Sequence, residues 1–351
     1  MVNLHGLGPD ALHAHLVAAG APCTASHARS LFARHVAFHP RDAPRRQSVP
    51  KSVLRVFADT VSTDRLTIVE RVEDPSDGFV KYLLRSPDGA LSEAVRIPLE
   101  VPGRFTICLS SQVGCAMACA FCATGRLGLS RNLGAWEIVS AFCLVRDELP
   151  VGARITGAVF MGQGEPFHNY DNVIRAASIL SDPNGGRIGA EAISISTVGL
   201  VPEIRRYTAE GHRYRLVVSL TSAISERRRR LMPVTRKWDV PEVAAAIREH
   251  ALVRKTRVTV AWVVLGGENT GQDEVDALRA LFADTPIKLN IIDVNDSSIG
   301  DDGPRFVRAD AAELDAFRDR LRTLGVPVVR RYSGGRDKHA ACGMLAAHAM
   351  T

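Results

Sequence analysis

The sequence predicts an α/β protein: an incomplete, open parallel α/β barrel preceded by a small helical domain. Three observations carry this. Short β-branched runs recur at about 105–109, 155–161, 192–197, 214–220, 256–264, 287–293 and 326–331. Helical periodicity fills most of the intervals, at 135–148, 170–181, 239–251, 273–284 and 310–323. The region before residue 104 shows no such alternation. Strand and helix alternating this regularly imply parallel βαβ units, each with its crossover helix. Six or seven such units suit an open barrel, and a doubly wound open sheet, built from the same units, is the alternative. In either architecture ligands gather at the carboxyl ends of the strands.

The elements follow in order. Residues 1–60 read as a helical accessory domain. Pro9-Asp10 precede an apolar pattern at Leu12, Leu16 and Val17, and Ser26 can cap a second helix carrying Ala28, Leu31, Phe32 and Val36. A proline- and arginine-rich stretch, 39–50, breaks the pattern. Residues 61–103 form a linking region of alternating segments at 65–71 and 79–85. The second meets a Ser-Pro-Asp-Gly turn at 86–89 and returns as 90–97, a hairpin. Residues 104–351 hold the barrel and a terminal cysteine loop.

The chain has 351 residues, of which 46% are hydrophobic and 23% charged, the balance of a globular protein. No run of about 18 apolar residues exists, so no transmembrane helix and no membrane association are expected. The first residues lack a basic region followed by an apolar stretch, so a reducing cytoplasm is the expected compartment. Cysteine usage agrees with this. Of seven cysteines, three fall between Cys115 and Cys122, which reads as a metal site and not as a disulfide framework. The net charge is +6, with runs at Arg45-Arg46, Arg205-Arg206, Arg227–Arg230 and Arg330-Arg331. Each run could grip a phosphate backbone, or could be a solvated helix face.

The chemistry-bearing residues stand where the strands end. The run 105–109 leads into Ser110-Ser111-Gln112-Val113-Gly114-Cys115, then Cys119 and Cys122, a C-x3-C-x2-C spacing. Three thiolates on one short loop can hold three corners of an iron–sulfur cubane and leave the fourth iron open to a ligand. A zinc site with Cys108 or a distant histidine as fourth ligand is the alternative, although no second C-x2-C knuckle exists. The second strand ends in Gly162-Gln163-Gly164-Glu165-Pro166. Here glycines permit close backbone approach and the carboxylate can accept from an ammonium group. Later strands end in Ser194, Ser196 and Thr197, in Ser219, Leu220 and Thr221, and in Asn290, Asp293 and Asn295, polar groups that can line a site for a nucleoside-like ligand. Cys342 follows Ser333-Gly334-Gly335 in an Ala-Ala-Cys-Gly-Met segment. Its flanking glycines can let a loop travel, or the thiol can be a small packing residue.

Together these residues resemble the RlmN/Cfr family of radical-SAM RNA adenine methyltransferases. The resemblance runs from Glu93–Pro98 to the Ala-Ala-Cys-Gly motif at 340–343. It takes in Ser-Ser-Gln-Val-Gly-Cys, Cys-Ala-Thr-Gly with Gly128 and Arg131-Asn132-Leu133, Gly164-Glu165-Pro166, Ser196-Thr197 with Gly199, and Arg229-Arg230-Leu231-Met232-Pro233. It implies the radical-SAM type of open barrel. It also implies a [4Fe-4S] cluster on Cys115, Cys119 and Cys122 whose open iron chelates S-adenosylmethionine. Gly164, Glu165, Ser196, Ser219, Leu220, Thr221 and Asn295 match positions that bind that cofactor. Cys342 matches a thiol that accepts a methyl group and carries it to RNA, Cys108 a second thiol that resolves the covalent intermediate, and Glu93 the proton acceptor. The resemblance further implies methylation of carbon 2 of an adenine in 23S rRNA, and in tRNA. With it come an electron donor such as flavodoxin or ferredoxin, a disulfide bond within the chain, and a monomer.

The chain departs from the family's pattern at Gln163, where methionine is usual, at Thr221, where histidine is usual, and at Val294-Asn295-Asp296. The alternatives are methylation at carbon 8 or in another RNA, a radical-SAM enzyme acting on a small molecule or peptide, and a zinc-containing RNA-binding protein without catalysis. The Cys108/Cys342 pair argues against the second of these, because a generic radical initiator needs neither thiol.

Overall fold

The computed structural model describes residues 1–37, 49–295 and 306–331, with 334, 341 and 343–345. Its centre is a ten-stranded sheet, here numbered β1 to β10 in chain order. The strands are β1 (Thr67–Glu73), β2 (Val80–Arg85), β3 (Leu91–Pro98), β4 (Arg104–Leu109), β5 (Arg154–Phe160), β6 (Ile193–Thr197), β7 (Arg215–Ser219), β8 (Val258–Val264), β9 (Ile287–Asp293) and β10 (Val328–Arg330). Order across the sheet follows order along the chain. The pairings from β1 to β4 are antiparallel, with Leu83 opposite Glu93 and Val95 opposite Cys108. From β4 to β10 every pairing is parallel.

That order decides between the two expected architectures. A doubly wound sheet reverses its direction once, at the switch point where its ligands bind. Here the strand order never reverses, which is barrel winding, and β1 and β10 remain as the two edges of an open sheet. The seven parallel strands fall on the seven β-branched runs. Helices Ala135–Asp147, Tyr170–Ser181, Val240–Arg254, Gln272–Phe282 and Ala311–Arg322 fall on the expected helical intervals. A further crossover helix, Val201–Glu210, begins with Pro202 in its first turn and stops at Gly211, whose φ of +74° ends it in the left-handed region.

Three helices, Pro9–Ala18, Ala25–Val36 and Lys51–Thr60, precede the sheet. Thr24, not Ser26, caps the second of them. Its Oγ1 accepts from the His27 backbone N–H at 3.2 Å while the His27 ring accepts from the Thr24 N–H, so Ser26 lies inside the first turn. Leu12, Leu16 and Phe32 belong to the same apolar cluster as Ile107, Phe142, Trp262 and Phe317. The helical segment and the sheet therefore share one core. Polar links close the seam: Arg65 donates to Asp147 at 2.6 Å and to the His35 carbonyl at 3.0 Å, and the Leu66 N–H to Ser140 at 2.9 Å.

Candidate active site

The carboxyl ends of β4 to β9 open onto one cavity, with about 1050 Å³ of empty space counted out to its mouth. Cys115, Cys119 and Cys122 line one side. Gly164 and Glu165 after β5, Ser196 in β6, Ser219 in β7 and Asn295 after β9 line the others. Between these polar groups the wall is apolar, made by Val198, Val217, Ala261, Val263, Ile292 and Val294. A few fixed polar groups on an apolar wall suit a nucleoside-bearing ligand.

The cysteine loop is shaped by a small ribbon in which Gln112–Cys115 pairs antiparallel with Gly128–Asn132. Gly114 makes the pairing possible. Its φ is +76°, and a Cβ there would stand 2.0 Å from the Gly128 carbonyl oxygen. Gln112 then ties the ribbon to the next turn: its Nε2 donates to Asn132 at 2.7 Å and its Oε1 accepts from the Glu165 N–H at 2.8 Å. The Ser111 N–H donates to the Gln163 carbonyl at 2.7 Å. Asn169 donates to the carbonyls of Ser111 and Leu133, both at 2.7 Å. The cysteine loop and the Gly164-Glu165 turn are thus one hydrogen-bonded unit.

The thiols are dry. Burial pushes Cys115 up to about 12 and Cys119 above the ordinary thiol range, with the neighbouring cysteines adding to the second shift. Among the described residues no three His, Cys, Asp or Glu side chains converge on the point that a single ion would occupy. A cubane asks for something else, one thiolate at each of three separate corners, and metal coordination is what removes such protons. Three thiols on one loop facing a common cavity, Cys115 and Cys119 buried and Cys122 half-buried, fit that group.

Glu165 is 2% exposed, and burial raises its carboxyl to about 7. Its Oε1 accepts from the Phe167 N–H at 2.9 Å and its Oε2 from the Val198 N–H at 2.8 Å, which fixes the carboxylate between β5 and β6. Leu220 and Thr221 do not line the cavity. Leu220 is fully buried in the core, and Thr221 turns the chain at φ +61° with its side chain packed inside. Sequence reasoning passed over Met117, Phe121 and Met161, which do line it, and read Arg331, which lines it too, only as part of an arginine run. As apolar or basic residues near strand ends they carry no signal that separates wall from core.

Glu93 and Cys108 stand behind the cavity wall. Glu93 is 1% exposed. Its Oε1 lies 3.3 Å from Lys81 Nζ, and its Oε2 accepts from Gln163 Nε2 at 3.2 Å. Cys108 is buried with Phe79, Val95 and Leu345. Leu345 belongs to the terminal segment, which is held against the cysteine loop: the Ala123 N–H donates to the Gly343 carbonyl at 2.8 Å and Thr124 Oγ1 to the Leu345 carbonyl at 2.6 Å. Cys342 itself lies outside the described residues, as do Ser333, Gly335 and Asp296. The other six cysteines are free, so the implied disulfide is not found among the described residues.

The arginine runs are largely engaged within the fold. Arg205 pairs with Glu249, and Arg206 with Asp171 and Glu210. Arg227 pairs with Asp273 and Glu274, Arg230 with Glu268, and Arg330 with Asp293. Arg45-Arg46 lie outside the described residues. None of the described helices is long and apolar enough to cross a membrane.

No family model matches the chain. Individual proteins do. A probable RNA methyltransferase of Myxococcus xanthus is 46% identical over 354 residues, spanning 99% of this chain and 94% of that one. A probable RNA methyltransferase of an Anaeromyxobacter species is 55% identical over 274 residues, 78% of this chain and 79% of its own length. The dual-specificity RNA methyltransferase RlmN of Geobacter sulfurreducens is 37% identical over 347 residues, 98% and 92% of the two chains. Among solved structures, a radical SAM methyltransferase from Sphaerobacter thermophilus superposes with a TM-score of 0.86 at 34% identity, covering 99% of this chain and all of that one.

Proposed function

Because this chain belongs to the RlmN/Cfr family of radical-SAM RNA methyltransferases, we propose that it methylates carbon 2 of an adenine in 23S rRNA, and in tRNA, through an S-methylcysteine at Cys342. Its cofactors are those of the family, a [4Fe-4S] cluster and S-adenosylmethionine. Cys115, Cys119 and Cys122 are the thiols that would hold the cluster. Gly164, Glu165, Ser196, Ser219 and Asn295, which line the cavity, would hold S-adenosylmethionine, with Leu220 and Thr221 shaping the turn beneath them. The observation that carries the reading is that the segment flanking position 342 is bonded to the cysteine loop and packed on Cys108.

The chemistry explains why two thiols and a base are needed. A ring carbon between two nitrogens is electron-poor and cannot displace a sulfonium methyl, whereas a thiolate can. Cys342 therefore accepts the methyl group first: its carbon–sulfur bond forms as the sulfonium bond breaks. When bound, the cluster and a second S-adenosylmethionine would supply a 5′-deoxyadenosyl radical able to take one hydrogen atom from the methyl group held on Cys342. The resulting carbon radical on Cys342 adds to carbon 2 of adenine. The adduct gives up one electron to a one-electron carrier and its carbon 2 proton to Glu93, whose carboxylate Lys81 and Gln163 hold in place. Cys108 then attacks the sulfur of Cys342. The methylene group leaves on the adenine and takes a proton to become methyl, and the two cysteines are left as a disulfide for a dithiol to reduce. A flavodoxin or ferredoxin would supply the electrons to a monomeric enzyme in the cytoplasm.

Unmodified rRNA and tRNA incubated with the reconstituted enzyme should yield 2-methyladenosine on nucleoside mass spectrometry. The 8-methyl isomer would contradict the carbon assignment. Cofactor cleavage without methylation of any RNA would overturn the substrate.

A further inference from the structure

Arg228 stands apart from the run that contains it. Arg227, Arg229 and Arg230 each have a carboxylate within 4.0 Å. Arg228 is fully buried, and among the described residues no carboxylate reaches it at ion-pair distance. Its guanidinium donates only to neutral acceptors. Nε meets the Leu220 carbonyl at 3.0 Å, and Nη1 meets Thr235 Oγ1 at 2.8 Å. Nη2 meets the carbonyls of Val198 at 2.5 Å and Ser219 at 3.2 Å. These bonds staple the carboxyl ends of β6 and β7, which present Ser196 and Ser219 to the cavity. They satisfy the donors without neutralising the charge. A guanidinium taken out of water with no anion beside it is strongly unfavourable, and guanidinium remains protonated in proteins.

The anion it lacks is expected in the cavity. The helix Ser225–Leu231 runs under the cysteine loop: the Ala120 N–H donates to the Leu231 carbonyl at 2.9 Å, and Leu231 and Met232 pack on Cys119. Arg228 lies on this same helix, one turn before Leu231. A doubly positive four-iron core on three thiolates carries one net negative charge, and two after a low-potential donor adds an electron. We propose that Arg228 is the built-in counter-charge of the thiolate-held cluster and sets its reduction potential. This rests on the reading of Cys115, Cys119 and Cys122 as cluster ligands. A fixed positive charge stabilises the reduced, more negative state, so its removal makes reduction harder.

The test is an anaerobic redox titration of the holoenzyme followed by electron paramagnetic resonance, in wild type, Arg228→Lys, Arg228→Gln and Thr235→Asp. The last variant leaves the guanidinium and its backbone bonds in place but sets a carboxylate against Nη1. Arg228→Gln and Thr235→Asp should each lower the reduced-to-oxidised ratio at fixed potential by about tenfold, about 59 mV for a one-electron couple. Arg228→Lys should stay near wild type although it loses most of the staple. Should Arg228→Gln fail to fold, the contrast between Thr235→Asp and Arg228→Lys decides. Identical potentials throughout, or equal shifts in variants that keep and lose the charge, would overturn the inference. Iron and sulfide content separates the two levels. A wild type that binds no four-iron cluster overturns the ligand assignment and this inference with it, whereas an intact cluster with charge-independent potentials overturns this inference alone.

Discussion

At Gly164 the cavity wall leaves no room for a side chain. Its φ is +99°, and a Cβ would stand 2.6 Å from the Gln112 Cβ and 2.7 Å from Ser111 Oγ. Gly164→Ala must therefore push the Glu165 turn away from the cysteine ribbon, at a cost of about 1–3 kcal/mol in backbone strain alone. The variant should melt earlier and bind S-adenosylmethionine about tenfold more weakly by calorimetry on the oxidised holoenzyme, a loss of roughly 1.4 kcal/mol. Unchanged stability and affinity would contradict this account of the wall. Residues of this kind were legible in the sequence because their chemistry is scarce: three closely spaced thiols and a glycine-flanked carboxylate have few other uses. Leu220 and Thr221 were less so. They belong to the right strand end, but the turn at Thr221 buries both, and no local sequence rule gives that φ.

Among the elements, the seam between the N-terminal helices and the sheet has a definite pH signature. His5 is fully buried there, and burial, with Arg65, His35 and Arg146 nearby, lowers its value from 6.5 to about 3. The fold thus prefers the neutral ring. Its contribution is complete above pH 6.5 and declines as pH falls toward 3, because the unfolded chain takes up a proton that the folded one refuses. Between pH 7 and pH 5 this amounts to roughly 2 kcal/mol. Chemical denaturation at the two pH values should show a loss smaller by about that amount in His5→Leu than in wild type, because His250, lowered to about 4 by burial, contributes to both. An equal loss in both would place the acid sensitivity elsewhere. Element type was readable wherever β-branched runs or apolar periodicity were strong, which is why all seven parallel strands lie where expected. The ribbon that shapes the cysteine loop was not readable. Its strands are short, and Gly114 reveals its purpose only when Gly128 stands against it. The arginine runs left two readings open for a related reason. Their carboxylate partners, such as Glu268, Asp273 and Glu274, arrive from another part of the chain.

At the scale of the whole molecule, the strand order does the positioning. Because the winding never reverses, the segment after β10 returns to the cysteine loop and to Cys108 on β4, although most of the barrel separates them in sequence. A relay between Cys342 and Cys108 needs that return. The most direct measurement is a denaturing gel of labelled RNA incubated with Cys108→Ala enzyme, cluster and S-adenosylmethionine. With the resolving thiol gone, RNA should remain joined to the protein through a methylene bridge on Cys342, as a band that survives denaturation and disappears in the Cys108→Ala, Cys342→Ala double variant. A Cys108→Ala enzyme that releases methylated RNA freely, or a Cys342→Ala enzyme that still methylates, would contradict the account.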